Sequence, residues 1–434
     1  MSLVSRIIDR HFDASSGELH VGGIPITSLA AEFGTPLFVY DSGIIGGKLR
    51  LLRETLPGEF AIHYSVKANP NPAILDYFVA AGCGLEIASA GEFRRALEAG
   101  CPVEKILFAG PGKTERELEL VLERGIGEIH IESLLEAERI SSICQRLAIR
   151  ARAAIRVNPS SEAQGGAMRM GGKPAPFGVD EETLDHVLDC LLTNPVIEFR
   201  GIHLFTGTQI LDHSLLINQY NKGLAIAKRV AVRQEKPLHT VDFGGGLGIP
   251  YFANESDLDM GQLREAMAGI MKDVKRDPCF IGTQFVVEPG RYLVGEAGVY
   301  IARINDIKVS RGKKFLILDG GMNHHLAASG NLGQVIKRNF PMTVINKLDC
   351  SDSDAVDVVG PLCTPLDTLA RDIRMPEAAV GDLVGIFQSG AYARSASPVG
   401  FLSHPLPGEV FIQNGKARLV ECRGNAEIPL SDAS

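Results

Sequence analysis

Short apolar runs alternate with longer amphipathic segments between about residue 58 and residue 290. The apolar runs are of strand length, and there are eight of them: Ala61–Val66, Leu85–Ala88, Ile106–Ala109, Glu128–Ile131, Ala153–Val157, Gly201–Phe205, Thr240–Phe243 and Gln284–Val287. Between them, apolar residues recur with helical spacing, as in Glu115–Leu122 and Leu184–Leu192. Strands that alternate with helices form βαβ units around a parallel sheet, and near-continuous apolar runs indicate strands covered on both faces. Eight such units predict an α/β fold of the (β/α)₈ barrel type.

The pattern changes after Arg291, where short strand-like runs are separated by turns without long helical stretches. These runs are Val299–Ala302, Phe315–Leu318, Leu383–Phe387 and Val410–Ile412. They predict a second, all-β domain, and the strand-like Leu19–Val21 near the N-terminus is expected to belong to it. We therefore expect an N-terminal segment (1–40) that joins the β domain, a barrel (41–290) and a C-terminal β domain (291–434).

Composition narrows the class of function. The 434 residues suffice for two or three domains, and a net charge of −8 without any Lys/Arg-rich run argues against nucleic acid as a partner. The longest apolar stretches are too short for a membrane span, and no apolar signal-peptide core follows the first residues. Eight scattered cysteines without a C-x-x-C pair are typical of reduced thiols, so we expect a cytoplasmic protein.

In a (β/α)₈ barrel the active site lies where the strands end, and unusual residues follow several of the runs. Lys67 follows the first run, where partial desolvation by Val66 and Ala68 would make its amine nucleophilic. Most lysines at such positions are merely solvated. Gly244–Gly246 follows the seventh run and leaves backbone N–H groups free to approach a phosphate, although glycine clusters also mark tight turns.

Glu288 and Arg291 follow the eighth run. An arginine can bind a phosphate and a carboxylate can support a protonated ring nitrogen, but a loop ion pair would explain either residue alone. Cys363, between proline-rich turns, is either an acid or a buried apolar filler. The adjacent His324 and His325 rarely bind one metal together, so no metal is expected. One cofactor, pyridoxal 5′-phosphate (PLP), requires the lysine, the phosphate cup and the carboxylate together.

In this order the motifs resemble those of the alanine-racemase-fold (fold type III) PLP-dependent decarboxylases, which include diaminopimelate, ornithine and arginine decarboxylases. The resemblance extends from about Thr35 to about Pro407. It is carried by Tyr64–Asn69, Gly244–Gly246, Glu288–Arg291, Gly360–Asp367 and Gly390–Tyr392. It implies a barrel with a β domain, and a homodimer with shared active sites in which Cys363 comes from the other subunit.

The resemblance also implies roles for the matching residues. Lys67 would hold PLP as an aldimine, Glu288 would pair with the pyridine nitrogen, and Cys363 or Lys67 would protonate the carbanion. These three form the expected catalytic set. The residues expected to bind the cofactor are Lys67, Glu86, Arg156, His203, Phe205, Thr208, Gly244, Gly245, Gly246, Glu288, Arg291 and Tyr392. The residues expected to bind the substrate are Cys363, Thr364 and Asp367.

The sequence differs from the family's motifs at three places, which concern the residue beside the cofactor ring and the recognition of the substrate. The usual His-x-His-x-Gly-Ser-Gln run is His203–Gln209 here, with Phe205 in place of the second histidine. An acid follows the cysteine in diaminopimelate and ornithine enzymes, whereas Thr364 is uncharged. The Arg-Pro-x-Leu-Tyr run of diaminopimelate enzymes is missing after Asn323. A buried ammonium without a carboxylate is costly, which argues against a diamine-forming activity unless Asp367 substitutes.

Three runs resemble a narrower branch of these decarboxylases: Met170–Pro174 with Phe177-Gly178, Gly360–Pro365, and Ser397–Pro405. The branch comprises exosortase- and exopolysaccharide-associated decarboxylases and is similar to the butirosin-pathway enzyme that acts on a carrier-bound glutamyl group. The expected function is PLP-dependent decarboxylation of an L- or D-amino acid or an amino-acyl derivative, either as a small molecule or tethered to a carrier protein. The alternatives are a diaminopimelate decarboxylase of lysine biosynthesis, an amino-acid racemase of the same fold, and a catalytically silent regulatory homologue.

Overall fold

The structure of the protein is a computed structural model. It describes residues 2–160, 174–205, 207–332, 334, 336–351 and 355–424, together with the backbone of residues 168–169. The Met170–Lys173 part of the run that resembles the narrower branch lies outside the described residues.

The chain divides into two compact units. The barrel unit comprises Leu49–Ile249 and Ser256–Tyr292, and the β unit comprises Met1–Lys48, Pro250–Glu255 and Leu293–Ser434. Compared with the predicted domain limits, residues 41–48 and 250–255 belong to the β unit, and residues 291–292 belong to the barrel unit.

Eight parallel strands of the barrel unit form a closed sheet. In chain order, barrel strands 1 to 8 are Phe60–Ser65, Gly84–Ile87, Ile106–Phe108, Glu128–Ile131, Ala151–Asn158, Ile197–Leu204, Thr240–Asp242 and Gln284–Val287. Each strand pairs with the next, and strand 8 pairs with strand 1, with Val286 opposite Ala61. The predicted (β/α)₈ barrel is therefore confirmed, and each predicted apolar run overlaps one of its strands.

A helix follows each of barrel strands 1 to 7. These helices are Pro72–Ala80, Ala90–Glu98, Glu115–Glu123, Leu134–Leu147, Leu184–Leu192, His213–Arg233 and Met260–Val274. Several begin at a side chain that accepts a hydrogen bond from the first turn, such as Asn71, Ser89 and Thr114. These caps fix where each helix begins and so keep the preceding loops short at the carboxyl edge of the sheet. Among the described residues, no helix is both long and apolar enough to cross a membrane.

The β unit is built around the long strand Gly298–Ser310. Its other main strands are Leu37–Asp41, Lys313–Leu318, Met342–Val344, Val356–Val359, Thr368–Ile373, Leu383–Ile386, Gly408–Gln413 and Lys416–Glu421. Leu37–Asp41 lies between Gly298–Ser310 and Gly408–Gln413, which confirms that an N-terminal strand joins the β domain. Of the Leu19–Val21 run, His20–Val21 forms a separate hairpin with Ile24–Pro25.

Two helices at the N-terminus, Leu3–His11 and Ile26–Phe33, pack onto this sheet. Their buried side chains, such as Ile8 and Leu29, share one apolar core with strand residues such as Val39. The N-terminal segment is therefore part of the core of the β unit.

One carboxylate in the β unit is buried against three basic side chains. The Glu296 side chain is 1% exposed; Lys48 contacts its Oε2, and His11 Nε2 and Arg10 Nη1 lie 3.3 and 3.9 Å from its Oε1. Burial raises the pKa of Glu296, but the interactions with His11 and Lys48 outweigh it and hold the pKa at about 2. This cluster fastens the N-terminal helix Leu3–His11 to the segment that leads into Gly298–Ser310.

We expect Glu296→Gln to lower the free energy of unfolding by about 3 kcal/mol at neutral pH, because Lys48 loses its buried partner. A carboxylate whose pKa is depressed on folding stabilises the protein above its unfolded pKa of 4.5 and loses that contribution as the pH falls toward 2. Urea denaturation at pH 7 and pH 3 should therefore give a smaller difference between wild type and variant at the lower pH.

Asp372→Asn is the matched control. Asp372 pairs with Lys313 at 3.1 Å, but its side chain is 72% exposed, so its removal should leave stability almost unchanged. An E296Q effect of equal size at both pH values would contradict the role assigned to the buried carboxylate.

Candidate active site

Lys67 stands in the short helical turn Val66–Ala68 that directly follows barrel strand 1. Its Nζ donates to both carboxylate oxygens of Glu86, at 3.2 and 3.1 Å. Glu86 lies on barrel strand 2, is 1% exposed, and also accepts a hydrogen bond of 2.5 Å from Ser65 Oγ. The Lys67 side chain is 42% exposed, so its amine is fixed by a buried carboxylate and still accessible to a ligand.

The loop after barrel strand 8 packs against this turn. Ser65 N–H donates to the carbonyl of Pro289 at 3.2 Å. Gly290 has no room for a side chain, since a Cβ there would lie 2.8 Å from the Cβ of Ala68. Backbone contacts therefore fix the Glu288–Arg291 loop relative to Lys67. Arg291 begins the short helix Arg291–Val294 at the end of this loop.

Glu288 belongs to a fully buried polar cluster inside the barrel. The other members are His130 on strand 4, His203 on strand 6 and Asp242 on strand 7, and one polar atom of each of the four lies within 4.8 Å of the others. His203 Nε2 lies 3.4 Å from Glu288 Oε2, and its ring stacks obliquely on that of His130, with the centroids 4.3 Å apart.

The charges in this cluster follow from its burial. Burial raises the pKa of Glu288, but its interactions with His203, His130 and Lys67 outweigh it and hold the pKa far below the usual range. Burial lowers the pKa of His203 to about 4, so this ring is neutral at neutral pH. Burial, and repulsion by Glu288, raise the pKa of Asp242 well above its usual value. Of the two acids, Glu288 is therefore the one that carries the negative charge.

Gly244–Gly246 forms a cup of bare backbone beside Glu288. The φ angles of Gly244 and Gly246 are +66° and +106°, in the region that favours glycine. A Cβ on Gly245 would lie 2.6 Å from the carbonyl oxygen of Glu288. Backbone N–H groups in such a turn form a concave site for an anion such as phosphate.

The segment that contains Thr208 is tied to this cup. Ile210 N–H donates to the carbonyl of Gly246 at 2.9 Å, and Gly248 N–H donates back to the carbonyl of Ile210 at 2.9 Å. Thr208 itself lies in the two-residue strand Gly207–Thr208. The threonine predicted to bind phosphate is therefore held next to the predicted glycine cup.

Phe205 and Arg156 occupy neighbouring positions at strand ends. The Phe205 ring centroid lies 5.7 Å from Lys67 Nζ, and a Cβ on Gly244 would lie 2.9 Å from the ring. Arg156 is buried, donates from Nη1 to Glu132 Oε1 at 2.7 Å, and lies over the ring of Phe177.

The remaining predicted residues, Cys363, Thr364, Asp367 and Tyr392, lie in the β unit. Cys363 is exposed and Thr364 is half-buried. Asp367 is 2% exposed, and its two oxygens accept backbone N–H groups of Met322 and Leu362 at 2.6 and 2.9 Å. Tyr392 has a φ of +52°.

The buried polar residues of the barrel that have no role in the prediction from sequence include four near the site: Ser65, His130, Glu132 and Asp242. Glu132 accepts hydrogen bonds from Arg156, Gly110 N–H and Gly178 N–H, all at 2.7 to 2.8 Å. Each of the four ends or directly follows a mainly apolar strand or, for His130, lies within one. A polar residue inside such a run was the signal available in the sequence.

Comparison with known proteins shows which family this chain belongs to. Residues 43–295, which include Lys67, Glu288 and the glycine cup, match the family described as pyridoxal-dependent decarboxylase, pyridoxal binding domain. The chain belongs to this family. It is a PLP-dependent enzyme that decarboxylates an amino acid or an amino-acid derivative.

The likeness to this family extends over nearly the whole chain. The chain is 38% identical over 405 residues to the L-glutamyl-[BtrI acyl-carrier protein] decarboxylase of Niallia circulans, covering 93% of this chain and 94% of that protein. It is 31% identical over 430 residues to the diaminopimelate decarboxylase of Zymomonas mobilis, covering 97% and 98%. The crystal structure of diaminopimelate decarboxylase from M. jannaschii with L-lysine matches with a TM-score of 0.87 and 26% identity, covering 96% and 95%.

The residues at this edge of the barrel fit PLP. Glu288 Oε1 is buried and accepts no hydrogen bond from any described residue, so it is available to a protonated ring nitrogen. Glycine at 245 lets the backbone of the cup approach the Glu288 carbonyl, where a Cβ would lie 2.6 Å away, and keeps a side chain out of the turn, as a phosphate-binding turn requires. Lys67 would supply the amine.

We expect Gly245→Ala to weaken PLP binding roughly tenfold or more, because overpacking costs about 1–3 kcal/mol and the displaced loop includes the carbonyl of Glu288. The dissociation constant can be measured by titrating PLP into the apoenzyme. Gly269→Ala, on a helix surface with no atom within 4 Å of the added Cβ, is the control. Unchanged affinity in G245A would exclude this cup from the cofactor site.

Proposed function

We propose that this decarboxylase acts on an amino acid whose distal end is uncharged because it is capped as a thioester or amide, such as a glutamyl group on an acyl carrier protein. The observation that carries the proposal is Thr364, which stands where diamine-forming relatives have an acid. Asp367, the nearby acid, is buried, and both of its oxygens already accept backbone hydrogen bonds. A substrate ammonium would therefore meet no free carboxylate from this segment.

The identity to the carrier-protein relative supports the same substrate class. That relative, named for a glutamyl group on an acyl carrier protein, is 38% identical, against 31% for the diaminopimelate decarboxylase of Zymomonas mobilis. The motif runs Gly360–Pro365 and Ser397–Pro405 point to the same branch.

The proposed roles of the barrel residues follow from their contacts. PLP, when bound, supplies an electron sink for the bond that breaks as the carboxylate leaves. Lys67 would attach the cofactor, and Glu86, 3.1 Å from its Nζ, would orient the amine. Glu288, an ionised carboxylate, would stabilise positive charge at the ring nitrogen. His203, Phe205 and Arg156 would contribute to the rest of the cofactor site.

Other groups are proposed to bind the phosphate of PLP and to transfer a proton to the substrate. Thr208, Gly244–Gly246, Arg291 and Tyr392 bind the phosphate in this proposal. Lys67 and Cys363 of the partner subunit are the two candidates for returning a proton to the substrate after carbon dioxide is lost.

We also propose that the enzyme is a cytoplasmic homodimer with shared active sites. The exposure of Cys363 supports this assembly, because a residue supplied to a partner has to lie on the surface of its own chain. The scattered free cysteines support a reducing compartment.

We expect Lys67→Ala to lose both the visible absorbance of the bound cofactor and turnover, because no amine remains to attach PLP. The measurements are an absorption spectrum of the purified protein and carbon dioxide release. Lys272→Ala, which removes an exposed lysine from the helix Met260–Val274, should change neither. A K67A protein that kept its colour and its turnover would refute the assignment.

Three substrates distinguish the proposed substrate class from a diamine-forming one: free diaminopimelate, free ornithine and a glutamyl thioester of an acyl carrier protein. We expect kcat/KM to be highest for the thioester by about tenfold or more, because the cost of burying an unpaired ammonium disfavours the other two. Equal or greater efficiency on free diaminopimelate would overturn the proposal. Thr364→Asp should reduce the difference in kcat/KM between the thioester and the two free amino acids, because it adds the missing negative charge.

A further inference from the structure

Asp242 connects the two halves of the proposed cofactor site. Its Oδ1 accepts a hydrogen bond of 2.7 Å from Gly244 N–H, at the start of the glycine cup. The carbonyl of Gly244 in turn accepts a hydrogen bond of 2.7 Å from Glu288 N–H. One aspartate thus supports the turn proposed for the phosphate and, through that same glycine, the residue proposed for the ring nitrogen.

The second oxygen of Asp242 lies in the buried cluster. Asp242 is 0% exposed, and its Oδ2 has no hydrogen-bond partner among the described residues. It lies 3.9 Å from His130 Nε2, in the same cluster as Glu288, whose Oε1 likewise accepts no hydrogen bond. Two carboxyl groups this close in a dry interior cannot both be ionised without a compensating cation or a shared proton.

The groups that face Asp242 and Glu288 determine which acid holds the proton. They are His63 on strand 1, Lys67 after it, Glu128 and His130 on strand 4, His203 on strand 6 and Tyr220 on the next helix. Burial keeps His63 and His203 neutral, with a pKa of about 4 for each. The cationic Lys67 stabilises the ionised form of Glu288, whereas Glu128 and Glu288 repel an ionised Asp242.

We propose that Asp242 is a positioning residue that carries a proton at neutral pH, donates it in a hydrogen bond to the Glu288 carboxylate, and braces the glycine cup through its other oxygen. The inference rests on the proposed roles of Glu288 and the cup. The protonated side chain keeps a single negative charge beneath the ring nitrogen and fixes the carboxylate that bears it.

Asparagine and alanine at this position separate the proton from the packing. Asparagine has the shape of a protonated aspartate, and it can accept from Gly244 N–H while its amide donates to Glu288. Alanine removes both hydrogen bonds.

The location of the proton can be measured without the cofactor. Infrared difference spectra of the apoenzyme at pH 7 should contain the C=O stretch of a protonated carboxyl group in wild type that is missing in Asp242→Asn. Asp189→Asn is the control, because Asp189 is exposed and paired with Arg233 at 2.6 Å, so it is ionised and contributes no such band. If the signal of protonated carboxyl groups is the same in wild type and in D242N, the proposal is overturned.

The positioning role is measured by cofactor binding. We expect Asp242→Ala to weaken PLP binding roughly tenfold or more and to shift the ³¹P resonance of the bound phosphate, and D242N to restore both nearly to wild type. A D242N protein as impaired as D242A would mean that the negative charge of Asp242 is required, which contradicts the proposal. If D242A does not fold, the D242N affinity and infrared results decide.

Two further outcomes separate this inference from its foundation. The cluster also has the donor atoms of a metal site, so stoichiometric metal in the purified protein would overturn the proposal by replacing the proton with a cation. If wild-type protein bound no PLP, the proposed cofactor roles would fail, while the infrared experiment would still locate the proton.

Discussion

An ionised carboxylate buried inside a closed barrel is the constraint on which the rest of this site depends. Removing Glu288 from water is unfavourable, and its interactions with His203, His130 and Lys67 outweigh that cost and keep the carboxylate ionised. Its Oε1 still accepts no hydrogen bond from any described residue. In the proposed role, a pyridinium nitrogen would bind this oxygen, so the cofactor and the buried charge would stabilise each other. The loop that begins at Glu288 is held by backbone hydrogen bonds to Gly244 and Ser65.

The barrel supplies these contacts because its strands close into one sheet. The loop after strand 8 accepts a hydrogen bond from Ser65, beside the Lys67 turn, and donates one to Gly244 at the cup. Glycines at 245 and 290 allow the segments to approach to distances that a Cβ would prevent. The amine, the carboxylate and the phosphate cup thus come from strands 1, 8 and 7, which are neighbours in the closed sheet although far apart in sequence.

The sequence predicts the barrel well because each buried parallel strand is a mainly apolar run and several predicted site residues follow directly after such runs. It predicts Lys67 and Glu288 for the same reason. It does not reveal that Glu132 accepts a hydrogen bond from Arg156, or that Asp242 and Glu288 lie in one buried cluster. Those pairings depend on which strands become neighbours and which face of each strand turns inward. For Asp367, the structure adds backbone contacts that the sequence does not reveal. Its position in the sequence suggests a substrate contact, whereas its two oxygens are occupied by the backbone of Met322 and Leu362.

The barrel unit and the β unit therefore differ in how a substitution at the proposed site would affect the enzyme. In the barrel unit, a change of charge at Asp242, His203 or Glu288 would alter the balance of charges within their buried cluster. In the β unit, the buried Asp367 carboxylate stabilises the loop from Gly360 to Asp367, and Cys363 and Thr364 lie in the less buried middle of this loop. The Thr364 hydroxyl accepts a hydrogen bond of 3.3 Å from Leu366 N–H, and an aspartate carboxylate at this position is also an acceptor. If Thr364 contacts the substrate as proposed, exchange between an acid and threonine at this position would shift the substrate preference between a distal ammonium and a neutral, capped group, while the residues of the barrel stay the same.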